Sequence, residues 1–233
     1  MALNLHLFSN PGDRDISYIV EASRPYLTGR DHPTIAYLPM ASLSDGWQAY
    51  TEKSFKGLAH VETVNTETMT FSEMESILRL AHVLYIPGGN TFLLNHRLHV
   101  SRLLPYLRKK LQNGLPLMAF SAGAILCGPN ILTSRDMNML ETPHFDGLNL
   151  LPFNLHAHYS DDPDRDEWLG DYHVFQPNPV ILLEDGAHLH VEGKKTSLLR
   201  GEAWILYKGQ EKEKLIVGSE IRLQPTQEEK FIG

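Results

Sequence analysis

The run Leu117-Met118-Ala119-Phe120-Ser121-Ala122-Gly123-Ala124 leads an apolar stretch into a serine and then into small residues able to open a helix. A serine at such a junction stands exposed at the C-terminal end of a strand. Small residues two positions either side, Ala119 and Gly123, let the strained turn pack closely, which is the geometry of a nucleophile elbow. The first of them is alanine, so the strict G-x-S-x-G pattern is missed by one methyl group. The competing reading is a tight packing turn whose serine caps the following helix.

A nucleophilic serine needs a base, and the chain offers 12 histidines. His158 stands out because it closes the strand-like stretch 151–158 and meets the polar loop Tyr159-Ser160-Asp161-Asp162. His156, two residues earlier, is expected on the same strand face. The pairs His156/His158 and His188/His190 have the spacing at which strand residues share a zinc ion. No HExxH motif and no cysteine ligands accompany them, and zinc would make an elbow serine redundant, so neither metal nor any other cofactor is expected. The segment Tyr85-Ile86-Pro87-Gly88-Gly89-Asn90-Thr91-Phe92 is a second strand-to-helix turn. Its glycines let backbone N–H groups approach a ligand, and in a hydrolase Gly89 and Ala122 would supply the oxyanion hole. The same loop could cradle a phosphate, but it lacks the Walker lysine and the spacing of a dinucleotide fingerprint.

These residues need elements to position them. Short, apolar, β-leaning segments at 3–8, 34–38, 60–64, 82–86 and 116–120 alternate with helical spacing at 16–27, 46–58, 71–80 and 101–112. This is the α/β rhythm, and it predicts parallel strands joined by right-handed helical crossovers. Residues 128–153 are rich in Gly, Pro and Asn and read as a loop-rich insert that forms part of the site. From residue 180 onward, strands at 180–183, 188–191, 196–199 and 203–207 are separated by Asp185-Gly186, Glu192-Gly193 and Gly201, a hairpin pattern. The expected fold is a flavodoxin-like three-layer α/β sandwich with a largely parallel central sheet and a mixed C-terminal edge. Residues 1–208 are expected to form a single domain. Residues 209–233 would be a charged extension that adds one edge strand near 215–217 and then frays.

Composition narrows the class. A chain of 233 residues with 42% hydrophobic and 21% charged content can bury a core unaided. A lone cysteine, Cys127, cannot form an internal disulfide, and no signal peptide or membrane span is read from the chain, so a cytoplasmic location is expected. The net charge of −7 and the absence of a basic stripe beyond Arg108-Lys109-Lys110 argue against nucleic acid and membrane partners.

Taken together, Pro87-Gly88-Gly89-Asn90-Thr91-Phe92, Ser121-Ala122-Gly123-Ala124, Arg135-Asp136-Met137 and His156-Ala157-His158-Tyr159 resemble, in order, the motifs of the peptidase E family of aspartyl dipeptidases. That family shares its fold with class I glutamine amidotransferase-like proteins. The resemblance spans roughly residues 3–207. It implies Ser121 as nucleophile, His158 as general base and Gly89 as an oxyanion donor. The third triad member matches Asp185, where the family carries a glutamate before the glycine of a late hairpin, and Glu184 and Asp136 are its rivals. Arg165 aligns with an arginine that binds the substrate's aspartate side chain, and Asp136 and Asn90 fall on the substrate side. The implied activity is hydrolysis of small peptides with an N-terminal aspartate. The alternatives are a serine peptidase of relaxed or aspartate-rich-peptide (cyanophycin-like) specificity, and a non-catalytic ligand-binding relative on the same scaffold.

Overall fold

The computed structural model describes residues 2–10, 15–44, 47–161 and 163–224. The expected helix start at Gly46, the loop residue Asp162 and the end of the C-terminal extension lie outside the described residues. Five strands, β1 (Asn4–Phe8), β2 (Thr34–Tyr37), β3 (His60–Thr63), β4 (Val83–Ile86) and β5 (Leu117–Phe120), run parallel in the order β3-β2-β4-β5-β1. The crossovers between them carry α1 (Ser17–Leu27), α2 (Gln48–Phe55), α3 (Phe71–Leu80), α4 (Thr91–Val100) and α5 (Leu103–Gln112).

Alternation along these strands explains why both faces are covered. Leu5, Leu7, Ala36, Leu84, Ile86, Leu117 and Ala119 join one buried cluster, against α3, α4 and α5. Their neighbours Phe8, Ile35, Tyr37, Val83, Tyr85 and Met118 join another, against α1 and α2. Successive strand side chains point to opposite faces, so a strand apolar at nearly every position requires a helix layer on each side. α3 also carries the clearest local start signal. Thr70 accepts from the Glu73 N–H while the Glu73 side chain takes the Thr70 N–H, a reciprocal capping box.

After β5 come the short helix α6 (Ala122–Ile125), the insert, β6 (Asn154–His156) and α7 (Pro163–Phe175). The late strands β7 (Val180–Leu183), β8 (His188–Glu192), β9 (Lys195–Arg200) and β10 (Ala203–Leu206) divide between two sheets. β8 pairs antiparallel with β1 and β9 with β8, which makes the large sheet mixed at that edge. β7 and β10 instead join a second sheet, ordered β11-β10-β7-β6, whose outermost strand β11 is Glu213–Lys214. The hairpin spacing did not reveal this second sheet. One of its faces enters the main core through Leu155, Ile181, Leu183 and Ile205, and the other packs Leu182 and Trp204 against Leu169 and Tyr172 of α7. Among the described residues no helix is long and apolar enough to cross a membrane.

Candidate active site

Ser121 follows β5 with φ 49° and ψ −114°, a strained conformation, and its N–H is anchored on the Phe8 carbonyl at 2.9 Å. The turn stays tight because Gly123 has no side chain. A Cβ there would lie 2.5 Å from the Ile86 carbonyl oxygen. No side-chain capping bond forms from Ser121 to α6, so its hydroxyl is not consumed as a helix cap.

His158 reaches the serine from the second sheet. β6 ends at His156, and His158 adopts a left-handed backbone with φ 57°, so the expected strand alternation stops short of it. His156 is buried, whereas the His158 side chain is 45% exposed. Each His158 polar atom has a partner. Its N–H donates to Ser9 Oγ at 2.7 Å, and its carbonyl accepts from Arg165 Nη1 at 2.8 Å. Nδ1 lies 2.7 Å from Asp185 Oδ1 and Nε2 lies 2.9 Å from Ser121 Oγ. An ionised carboxylate only accepts, so Nδ1 carries the proton and Nε2 presents a lone pair to the serine hydroxyl.

Asp185 occupies the turn that leaves β7 in the second sheet and enters β8 in the first. That crossing carries its carboxylate to the seam where Ser9, at the end of β1, also sits. Ser9 Oγ contacts Asp185 Oδ1 at 3.3 Å and donates to the Leu183 carbonyl at 3.1 Å. Of the two rival acids, Asp136 is engaged elsewhere. Asp136 Oδ2 accepts from the Thr91 N–H, Thr91 Oγ1 and Ser134 Oγ, and so closes the start of α4. The Glu184 carboxyl is raised above its usual range by desolvation and by Glu202. Asn90 also serves α4: its Oδ1 accepts from the Leu93 N–H and its Nδ2 donates to the Met137 carbonyl. Gly89, at φ 136°, is pinned below that cap, where a Cβ would lie 2.4 Å from the Ala41 carbonyl oxygen. Among the described residues neither the Gly89 nor the Ala122 N–H has a hydrogen-bond acceptor.

Arg165 lies on α7. Its Nη1 also lies 3.2 Å from His156 Nε2. His156 Nδ1 faces the Thr133 carbonyl at 2.8 Å and must donate to it, which leaves Nε2 as an acceptor for the guanidinium. Burial, reinforced by Arg165 and Arg135, lowers the His156 pKa to about 4, so this ring is neutral at ordinary pH. Both ring nitrogens of His188 are likewise engaged, by His6 and Tyr18, and Nε2 of His190 by Asn4. Ser9 carries no motif of its own. The one trace of Ser9 in the sequence is its place at the end of a strand.

The fold and site define a three-layer α/β protein with a serine, histidine and aspartate hydrogen-bonded in series at the carboxyl ends of its parallel strands, where open α/β sheets place their ligands. The model of peptidase family S51 matches residues 8–199, and the chain belongs to that family of peptidases. Curated relatives include Peptidase E of Nostoc sp., 31% identical over 225 residues and covering 91% of this chain and 93% of the relative. Peptidase E of Pasteurella multocida is 31% identical over 207 residues, covering 84% and 88%. Among solved structures, a peptidase from an acI-B1 actinobacterium superposes with a TM-score of 0.73 at 17% identity, over 96% of this chain and 98% of that one. Its likeness bears on the fold alone.

Proposed function

We propose that the chain is a serine dipeptidase in which Ser121, His158 and Asp185 form the catalytic triad. The observation that carries this reading is the unbroken series Asp185–His158–Ser121, at 2.7 and 2.9 Å. Ser121 Oγ attacks the scissile carbonyl while Nε2 of His158 takes its proton. The C–N bond then breaks as His158 returns that proton to the leaving amine, and water releases the acyl group by the same route. Asp185 keeps the ring in the required tautomer and stabilises its cationic form. The Gly89 and Ala122 N–H groups receive the oxyanion. Asn90 and Asp136 act one step back, holding the start of α4 and with it the Gly88–Gly89 turn. A fluorophosphonate probe should label the wild type and not Ser121→Ala. A folded wild type that never labels would instead support the non-catalytic relative.

The substrate reading is a small peptide with an N-terminal aspartate, its side chain bound by Arg165. Support comes from the Peptidase E relatives, from the motif alignment and from the position of Arg165 beside His158. A guanidinium clamps a carboxylate with paired hydrogen bonds that lysine cannot reproduce. A second reading, relaxed specificity, is favoured by the contacts of Arg165 Nη1 with the His158 carbonyl and His156. Arg165→Ala separates the two. Aspartate recognition predicts a raised KM and a loss of about tenfold or more in kcat/KM on aspartyl dipeptides, with a neutral acyl probe nearly unaffected. Equal losses on both would mean that Arg165 acts through His158. The same reading puts the enzyme in the cytoplasm, with no nucleic acid or membrane partner.

A further inference from the structure

A cavity of about 500 Å³ opens beside the Gly88–Gly89 turn and is lined as well by Phe120, the residue that precedes Ser121. It lies where the carboxyl ends of β2, β4 and β5 meet the starts of α1 and α2, on the face opposite α4. Its walls are aromatic. The Tyr37 and Tyr85 rings stand 5.4 Å apart, Phe120 lies 6.4 Å from Tyr85, and Trp47, 44% exposed, lines the same space. Ile16, Pro39 and Pro87 complete the apolar lining.

Asn10, Ser42, Ser44 and Thr51 add polar groups to the rim and floor of this aromatic lining. Tyr37 is fully buried, and its hydroxyl has no partner in hydrogen-bond geometry among the described residues. Of the described residues lining the cavity, the one charged side chain is Asp15, whose carboxyl is kept below its usual range by two hydrogen bonds from Ser17. A cavity whose walls are largely aromatic suits an uncharged ring, and the Asp15 carboxylate disfavours an acidic side chain.

We propose that this cavity binds the side chain of the residue released on cleavage, and that it takes an aromatic or large aliphatic group. The proposal rests on the aspartyl reading above. There the N-terminal aspartate lies by Arg165, on the His158 side of Ser121, and the second side chain is left for the cavity on the glycine-turn side. A pocket of this size and lining discriminates by apolar burial, which rewards a ring over a methyl group by about ten- to a hundredfold in kcat/KM.

The test is a series of dipeptides Asp-Phe, Asp-Tyr, Asp-Leu, Asp-Ala and Asp-Glu, measured as kcat/KM. Asp-Phe, Asp-Tyr and Asp-Leu should exceed Asp-Ala by about tenfold or more, and Asp-Glu should be the slowest. Trp47→Ala should lower the Asp-Phe to Asp-Ala ratio by about fivefold or more, because it removes one wall of the cavity. Calorimetry on Ser121→Ala gives a readout independent of turnover, and there Asp-Phe should bind about tenfold more tightly than Asp-Ala. If aspartyl dipeptides are cleaved but the second position makes no difference, or if Trp47→Ala leaves the ratio intact, the pocket assignment falls and the aspartyl reading stands. If no aspartyl dipeptide is cleaved by the wild type or bound by Ser121→Ala, both fall together.

Discussion

His158 is held at four atoms, by Ser9 at its N–H, Arg165 at its carbonyl, Asp185 at Nδ1 and Ser121 at Nε2. A left-handed backbone costs a non-glycine residue roughly 1–2 kcal/mol, which the two backbone hydrogen bonds offset at about 0.5–1.5 kcal/mol each. The strain aims the ring, because the chain must leave β6 and turn its next histidine across the seam to β5. Asp185→Asn should therefore lower kcat by about two to four orders of magnitude through loss of the correct tautomer. Asp136→Asn should lower the melting temperature by loosening α4 without a comparable loss of kcat, and the reverse pattern would reassign the carboxylate. Ser9→Ala removes an acceptor and a donor at the seam and should cost about tenfold in kcat, the worth of one hydrogen bond. KM should change little, because Ser9 meets His158 and Asp185 rather than the substrate. An unchanged kcat would show that the other three contacts are enough to hold the ring.

At the scale of elements, the elbow is a packing problem between β5, α6 and the end of β4. A methyl group on residue 123 would overlap the Ile86 carbonyl, so Gly123→Ala must push α6 away from β4 or displace Ser121. The expected result is a loss of stability of about 1–3 kcal/mol together with a lower rate of probe labelling. α3 provides the contrast. Thr70→Ala removes a capping box remote from the site and should cost about 1 kcal/mol in denaturant titration, with kcat/KM unchanged. A loss of activity there would mean that α3 transmits to the serine by a route its contacts do not suggest.

At the scale of the whole molecule, buried histidines set the response to acid, His6, His156 and His188 foremost among them. Burial lowers the pKa values of His6 and His188 to about 3, and that of His156 to about 4, from 6.5. The unfolded chain binds these protons first, so stability is fully present above 6.5 and falls as pH drops towards the folded values. At pH 5 each neutral ring costs about 2 kcal/mol, and the three together rival the stability of a typical domain. Denaturation followed from pH 7 to pH 4 should therefore show a steep loss beginning near pH 6.5. A flat profile down to pH 5 would mean that these rings ionise in the folded state. The C-terminal segment adds a second dependence at this scale. Lys212 donates to Tyr159, to Asp161 and to Asp166 of α7, at 2.7, 2.5 and 2.5 Å. Desolvation and these three hydrogen bonds act on its ammonium in opposite senses, and the hydrogen bonds prevail to raise its pKa. Lys212 thus ties the extension to the helix that carries Arg165.

The sequence by itself determined the features that depend on near neighbours. Short apolar, β-leaning runs marked β1 to β5, and the small residues around Ser121 marked the elbow, because burial and turn sterics act within a few residues of the chain. The late hairpins were legible as strands, but their division between two sheets was not, since β7 and β8 differ by which distant partner they pair with and not by local pattern. That division decided the site. Asp185, Glu184 and Asp136 are equivalent as acids in a sequence, and the motif alignment favoured Asp185 without supplying a distance. The crossing from the second sheet to the first carried Asp185 to His158, while the start of α4 took Asp136. Arg165, surrounded in sequence by acids, is carried beside His158 by α7, which lies over the buried His156. Contacts made between segments far apart in the chain are set by how the layers close on one another, and that closure is fixed by the tertiary structure alone.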